Sequence, residues 1–178
     1  MALKATVFKA SLNIADMDRH YYQDHTLTIA RHPSETDLRM MTRLAVYCLN
    51  ADEQLSFTKG ISTDDEPDLW IKDYSNQINH WIELGQPDEK RIRQACAKAE
   101  KVSIYCYSGH GAQLWWEQMS AQVQRFEHLR VINLEPTALE SLAQLANRAM
   151  NLSAFIQDGE LSISNGDANV QIPQVVWK

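Results

Sequence analysis

The sequence predicts an α/β fold of the mixed α+β kind, in which strands and helices alternate along one domain with a mixed sheet. Two observations lead to this prediction. Short segments rich in β-branched and aromatic residues are separated by clusters of turn formers, and four other segments place apolar residues at helical spacing. The length of 178 residues suits one unit with its own core, so we expect a single domain over residues 1–178.

Composition and charge exclude several classes of protein. Hydrophobic residues make up 44% of the chain and charged residues 22%, a composition that intrinsically disordered proteins do not have. No run approaches the roughly 18 apolar residues of a membrane span, and the N-terminus has no cleavage signal, so we expect a cytoplasmic protein without a membrane partner. The three cysteines lack paired spacing and are expected as buried thiols. The net charge of -6 argues against a general nucleic-acid coat protein.

The first half of the chain predicts a ribbon, a helix and a meander. Two extended runs, near residues 5–10 and 25–30, are joined by a polar connection over 16–20. A helix is expected from about Ser34 to Leu49, with Ser34 as its N-cap and Arg39 and Arg43 on its solvent side. Three antiparallel strands, separated by turn formers, are expected over residues 55–61, 67–72 and 78–84.

The second half predicts three more helices and five strands. A helix begins near Gly85, with Pro87 in its first turn. Thr137 and Glu140 form a capping box for the last helix, which is expected to turn Ala146 and Ala149 inward along with its leucines. The other segments are a strand over 102–107, a helix over about 114–126, a strand over 129–134, and three hairpin-linked strands over 152–157, 161–164 and 169–177.

Asp68 and Glu83 are the first candidates for chemistry. Asp68 stands at the head of one predicted strand and Glu83 near the end of the next. Antiparallel strands bring those ends together, so the two carboxylates are expected side by side, where they would suit Mg²⁺ or Mn²⁺. The alternative is structural, with Asp68 in a turn and Glu83 on the sheet surface beside Lys72.

Around these residues the sequence resembles the YaeQ family of bacterial proteins. The resemblance covers almost the whole chain and is carried by IADMDRHYY at 14–22, ARHPSETD at 30–37, STDDEPDLW at 62–70 and GQPDEKR at 85–91. It implies a variant of the PD-(D/E)XK restriction-endonuclease-like core over about residues 34–107, with a mixed sheet flanked by helices and additional antiparallel strands from both termini. The family's Pro-Asp would be Pro67-Asp68, and its second acid would be Glu83.

One position departs from the pattern of that fold. The resemblance implies a lysine two residues after the second acid, and Gly85 stands there. In such nucleases the lysine positions or activates the attacking water, so its absence opens two hypotheses. Either Gln86 or Lys90 compensates and the protein cleaves nucleic-acid phosphodiesters, or the protein is catalytically degenerate and binds nucleic acid or a protein partner, for instance in transcription.

Basic residues supply candidate contacts to phosphate. Arg91 and Arg93 lie on the second helix, and Arg19 and Arg31 lie in the first part of the chain. A basic cluster beside a carboxylate pair would hold a nucleic-acid backbone electrostatically. The alternative is a solvated helix face. Glu35 is either a third acid of the site or a helix-capping residue.

A second constellation competes weakly with the first. Cys106, Ser108 and His110 follow a strand closely enough to suggest a nucleophile with a histidine base. Ser-Gly-His-Gly is also what a strand-to-helix turn needs, and no acid is evident to orient His110. We therefore favour a structural role for this segment.

Overall fold

Strands and helices alternate along the part of the chain that the structure describes. The structure is a computed structural model covering residues 3–59 and 65–178. Its elements are β1 (Thr6–Asp16), β2 (Tyr21–Arg31), α1 (Asp37–Leu49), β3 (Leu55–Phe57), β4 (Leu69–Lys72), β5 (Ile78–Leu84), α2 (Glu89–Lys98), β6 (Ala99–Cys106), α3 (His110–Val123), β7 (Leu129–Leu134), α4 (Pro136–Ala143), β8 (Ala149–Gln157), β9 (Glu160–Ser164), β10 (Asn169–Ile172) and β11 (Gln174–Val176).

Contacts divide the chain into two compact units. The first unit comprises Met1–Ala51 and Thr137–Gln174, and the second comprises Asp52–Pro136 and Val175–Lys178. The order α1, β3, β4, β5, α2, β6 is the order that the resemblance implies for the nuclease-like core. Membership of the PD-(D/E)XK fold, a core over residues 34–107 and a single domain over the whole chain stay predictions.

The first unit is built on a five-stranded sheet of order β10-β9-β8-β1-β2. Alternate residues of β1, from Phe8 to Ile14, are buried, while their neighbours face outward, which is the pattern of a sheet with one covered face. The prediction of an added sheet from the terminal strands is confirmed for β1, β2, β8, β9 and β10. It is wrong in one pairing, because β1 and β8 are parallel, so the sheet is mixed.

Two expectations for α1 are wrong. The helix begins at Asp37 with Thr36 as its N-cap, because the Thr36 hydroxyl accepts from the Arg39 backbone N–H at 3.1 Å. Ser34 instead lies before the helix, with its hydroxyl 2.7 Å from Nδ1 of His32. Arg43 is buried, with 4% of its surface exposed, and does not face solvent.

The second unit contains a six-stranded sheet of order β11-β7-β6-β5-β4-β3. As predicted, β3, β4 and β5 form an antiparallel meander, and β5, β6 and β7 then run parallel. The mixed α+β class is therefore confirmed. One face of the sheet shares a hydrophobic core with α2 and α3, whose buried members are Trp81, Ile92, Ala95, Cys96, Ala99, Val102, Ile104, Cys106, Ala112, Met119, Val123, Leu129 and Val131.

Several helices and strands begin or end at residues other than those predicted. β3 ends at Phe57, and the end of the expected strand over 55–61 lies outside the described residues, as does most of the turn that follows it. Asp88 is the N-cap of α2, so Pro87 precedes the helix instead of lying in its first turn. Pro173, which lacks a backbone N–H, divides the expected strand over 169–177 into β10 and β11, which belong to different sheets.

The last predicted helix is too long. α4 ends at Ala143, and Ala149 is an exposed residue at the start of β8. Leu139 and Leu142 are buried as expected. No helix in the described part of the chain is long and apolar enough to cross a membrane.

Candidate functional site

Asp68 and Glu83 lie near each other at one end of the β4–β5 pair. Asp68 comes just before β4, and its N–H donates to the carbonyl of Ile82, the neighbour of Glu83 in β5, at 3.1 Å. The charge of Asp68 acts on the Glu83 carboxyl, so the two carboxylates are close enough to interact. Both residues are buried, with 7% and 8% of their surfaces exposed.

A backbone hydrogen bond orients the Asp68 carboxylate. Oδ2 of Asp68 accepts from the Leu84 N–H at 2.8 Å. This bond links the residue just before β4 to the last residue of β5. The carboxylate is therefore fixed at the edge of the meander, next to Glu83.

Arg91 of α2 is the counter-ion of Glu83. Its Nε and Nη2 lie 2.7 Å and 2.6 Å from Oε1 of Glu83. Nη2 also donates to the Glu66 carbonyl at 2.8 Å, and Cζ lies 5.4 Å from the centre of the Trp81 ring. The helix start positions Arg91, because the Asp88 side chain accepts from the Arg91 backbone N–H at 2.8 Å.

Burial makes the negative charge of Glu83 costly. Burial raises the pKa of the Glu83 carboxyl, and the charge of Asp68 acts in the same direction. The hydrogen bond and positive charge of Arg91 lower the pKa without cancelling the effect of burial. The two acids are therefore held together at an electrostatic cost, which is typical of sites built to bind a cation.

A groove of about 270 Å³ has Arg91, the counter-ion of Glu83, in its lining. Three of its lining residues, Lys90, Arg91 and Lys98, are cationic, and Nζ of Lys98 lies 3.7 Å from Asp65. The remaining lining residues are Asp65, Asp88 and Gln94. Arg91 lines this groove and contacts Glu83, so it connects the groove to the carboxylates.

The backbone explains why no lysine follows Glu83 at the expected spacing. Gly85 has a φ of +106°, a conformation that residues with a side chain rarely adopt. Its N–H donates to the Tyr105 carbonyl at 2.9 Å, which fixes that conformation between β5 and β6. A lysine at this position would be strained even though the space around it is open.

The two substitutes expected for that lysine differ in their placement. Gln86 is exposed and its side-chain amide donates to the Ser108 hydroxyl. Lys90 is also exposed and lines the groove. Of the two, Lys90 is therefore the one placed among the groove's cations, and the roles of both stay predictions.

The other predicted phosphate contacts have acidic partners. Arg93 lies 3.3 Å from Glu89 on the exposed side of α2. In the first unit, Nε of Arg19 lies 2.6 Å from Asp16, and Arg31 is paired with Asp37. Glu35, considered as a third acid, also lies in the first unit and is bonded to Arg39 and Arg43.

The competing cysteine site has little chemical support. Burial raises the pKa of Cys106 to about 12, so the thiol stays protonated near neutral pH. Ser108 accepts from Gln86, and His110 is an exposed residue at the start of α3. All three cysteines are free and buried, as predicted.

Asp68 and Glu83 are the residues of this site that could hold a divalent cation. Within residues 3–59 and 65–178, no three side chains of His, Cys, Asp or Glu come together as a metal-holding group. Two carboxylates nevertheless suffice for Mg²⁺, which completes its coordination with water and substrate phosphate. Sequence reasoning missed the ion pair between Arg91 and Glu83. The signal that could have found it is a cation in the first turn of the helix that follows the acid.

Comparisons with known proteins identify the family. The YaeQ protein family model matches residues 1–174. YaeQ of Salmonella typhi is 45% identical over 178 residues, covering 100% of this chain and 98% of that protein, and YaeQ of Escherichia coli K12 is 44% identical with the same coverage. The crystal structure of YaeQ from Xanthomonas axonopodis pv. citri has a TM-score of 0.95 at 44% identity, covering 98% of each chain. YaeQ from Pseudomonas syringae has a TM-score of 0.93 at 31% identity, covering 98% of this chain and 96% of that one. The chain belongs to the YaeQ family.

Proposed function

We propose that this protein hydrolyses nucleic-acid phosphodiesters with the help of Mg²⁺ or Mn²⁺ held by Asp68 and Glu83. The observation that supports this most is the buried, neighbouring carboxylates of Asp68 and Glu83, which Arg91 connects to a groove whose lining includes three cations. Carboxylates take the metal and the cations take the phosphate backbone, so the two halves of a phosphodiesterase site are adjacent.

Each residue has a separate task in this proposal. Asp68 presents a carboxylate oriented by the Leu84 N–H, and Glu83 supplies the second oxygen ligand. The bound metal would lower the pKa of a water molecule and polarise the phosphoryl oxygen. Lys90, Arg91 and Lys98 hold the negative phosphates in the groove. Gln86 cannot serve as a general base, because an amide does not accept a proton near neutral pH.

The ion pair between Arg91 and Glu83 favours a second candidate function. A guanidinium already neutralises one of the two acids, and the backbone at Gly85 disfavours the lysine of active nucleases. A catalytically degenerate protein would retain this arrangement and use the groove to bind nucleic acid without cleaving it. Dependence on metal separates the two candidates.

The test combines metal titration with cleavage. Wild type, Asp68→Asn and the control Asp65→Asn are titrated with Mn²⁺ by calorimetry and then incubated with labelled DNA and RNA. The control removes the same charge from an exposed groove residue, whose side chain is 93% exposed. Metal binding and cleavage by wild type and by the control, both lost in Asp68→Asn, support the proposal.

Other outcomes contradict it. Unchanged Mn²⁺ affinity in Asp68→Asn overturns the metal assignment. Nucleic-acid binding without metal binding or cleavage by wild type favours the binding module. In that case three phosphate contacts give a slope of about −3 for log affinity against log salt on duplex DNA.

A further inference from the structure

We propose that Arg91 is a built-in competitor of the metal, which holds Glu83 until a divalent cation displaces it and which serves the phosphate in the groove. The inference rests on the proposed function, because it assigns a second task to a residue of that same site. It predicts opposite effects of one substitution on two ligands. Removing Arg91 strengthens metal binding and weakens nucleic-acid binding.

Arg91 contacts the carboxylate oxygen of Glu83 for which a metal ion would compete. Both of its contacts to Glu83, at 2.7 Å and 2.6 Å, go to Oε1, the kind of oxygen that a hard cation takes. Nη2 also donates to the Glu66 carbonyl, which carries no net charge. A divalent cation that takes Oε1 of Glu83 must therefore separate this oxygen from Arg91.

The position of Arg91 would also let it bind a phosphate in the groove. Its side chain is 20% exposed, whereas that of Glu83 is 10% exposed, and Arg91 lines the groove with Lys90 and Lys98. A guanidinium offers a planar fork of N–H donors that matches a phosphate as well as a carboxylate. The same group therefore reaches both the acid and the place where a phosphate would bind.

Charge balance sets the direction of the effects. Asp68, Glu83 and Arg91 together carry a net charge of about −1 when both acids are ionised. A divalent cation entering beside Arg91 meets a positive charge at close range, and that repulsion is large in a partly buried site. Once the metal is bound, the net charge of the cluster is positive and attracts phosphate. Arg91, displaced from Glu83, is then available to bind the phosphate of the substrate.

The experiment compares Arg91→Gln, Arg91→Lys and the control Arg125→Gln. Arg125 is an exposed arginine of the same unit that pairs with Glu89 at 3.1 Å, so the control removes the same charge without touching Glu83. Mn²⁺ affinity is measured by calorimetry, and binding of a short labelled DNA is measured by anisotropy in Ca²⁺. We expect Arg91→Gln to bind Mn²⁺ about tenfold more tightly than wild type and DNA about tenfold more weakly.

Each outcome has a definite meaning. Equal or weaker Mn²⁺ binding in Arg91→Gln overturns the inference, and the proposed function survives if wild type still binds metal and cleaves. Absence of metal binding in wild type and in both Arg91 variants overturns both. A purely structural Arg91 would weaken both ligands together, whereas competition moves them in opposite directions.

A second measurement does not depend on Arg91→Gln folding. In wild type, the ¹⁵Nε–H signal of Arg91 is followed by NMR during a Mg²⁺ titration and assigned by its loss in Arg91→Lys. Displacement from Glu83 predicts a shift of this signal that saturates with Mg²⁺ binding, and the Arg125 signal stays in place. A stationary Arg91 signal at Mg²⁺ saturation overturns the inference.

Discussion

Two buried glutamates of this protein each pair with arginine, and their surroundings differ. Both carboxylate oxygens of Glu35, in the first unit, accept hydrogen bonds from arginines. Arg43 donates to Oε1 at 2.5 Å and to Oε2 at 2.9 Å, and Arg39 donates to Oε2 at 2.8 Å. Arg43 also donates to the Ala30 carbonyl at 3.0 Å, so this cluster ties α1 to the end of β2.

Glu83 of the second unit has less compensation. The arginine contacts described for it go to Oε1, and the nearby charge of Asp68 raises its pKa together with burial. Two arginines contact Glu35 and compensate its charge within the fold, as in a structural ion pair. At Glu83 the charge of Arg91 does not offset the effects of burial and of Asp68, which is what a candidate site shows.

The largest effect is expected from Glu35→Gln. The change leaves Arg43, which is buried, and Arg39 without their acid, so the free energy of unfolding falls by about 3–5 kcal/mol. Urea denaturation followed by circular dichroism measures the loss. A loss below about 1 kcal/mol would remove the distinction between the two clusters, because Glu35 would then be as dispensable to stability as we expect Glu83 to be.

The cluster around Glu35 shows where sequence reasoning reaches its limit. Helical spacing placed Arg43 on the solvent side because charged residues are usually exposed. The expectation is wrong because Arg43 pairs with Glu35, a buried acid in the segment before the helix. The periodicity within α1 does not indicate this partner. The sequence did not predict the parallel pairing of β1 with β8 for the same reason, since about 140 residues separate the partners along the chain.

The two acids of the candidate site were easier to predict from the sequence than the cluster around Glu35. Asp68 and Glu83 are separated by one turn in an antiparallel pair, so their closeness follows from local pattern alone. The contact of Arg91 with Glu83 depends on how α2 packs against the sheet, and sequence spacing does not fix that packing. A sequence can therefore name the acids before it can name their counter-ion.

His80, a third buried group, extends the comparison, because the charges that shift its pKa come from cations. Burial lowers the pKa of His80 to about 3, and the charges of Lys101 and Arg130 act in the same direction. Its Nε2 lies 2.8 Å from the Ser103 hydroxyl, so a neutral ring is hydrogen-bonded within the sheet. Between pH 6.5 and 3 the unfolded chain binds a proton at His80 that the folded protein does not, so stability falls as pH falls.

The expected size of this effect is about 3 kcal/mol between pH 7 and pH 4. The check is urea denaturation at both pH values for wild type and for His80→Gln, which removes the titrating group and retains a side chain that can hydrogen-bond. The variant is expected to lose about 3 kcal/mol less than wild type over this range. Equal losses in the two proteins would show that folding does not lower the pKa of His80, so that burial does not decide its protonation state.

The smallest effect on stability is expected from Glu83→Gln, the same chemical change that is costly at residue 35. The amide keeps an acceptor for Arg91, removes the cost of burying a charge, and ends the repulsion from Asp68, so these gains offset the lost ion pair to within about 1 kcal/mol. Urea denaturation at pH 7 measures the stability change, and calorimetry with Mn²⁺ measures binding in the same samples.

The two measurements on Glu83→Gln must be considered together. A loss of about 3 kcal/mol or more would place Glu83 with Glu35 as a structural acid and would weaken the case for a metal site. Unchanged stability with lost Mn²⁺ binding would mean that the fold does not need this negative charge, although it buries the carboxylate close to that of Asp68. A buried charge that contributes nothing to stability is best explained by a ligand, and that pair of results would support a divalent cation as the ligand.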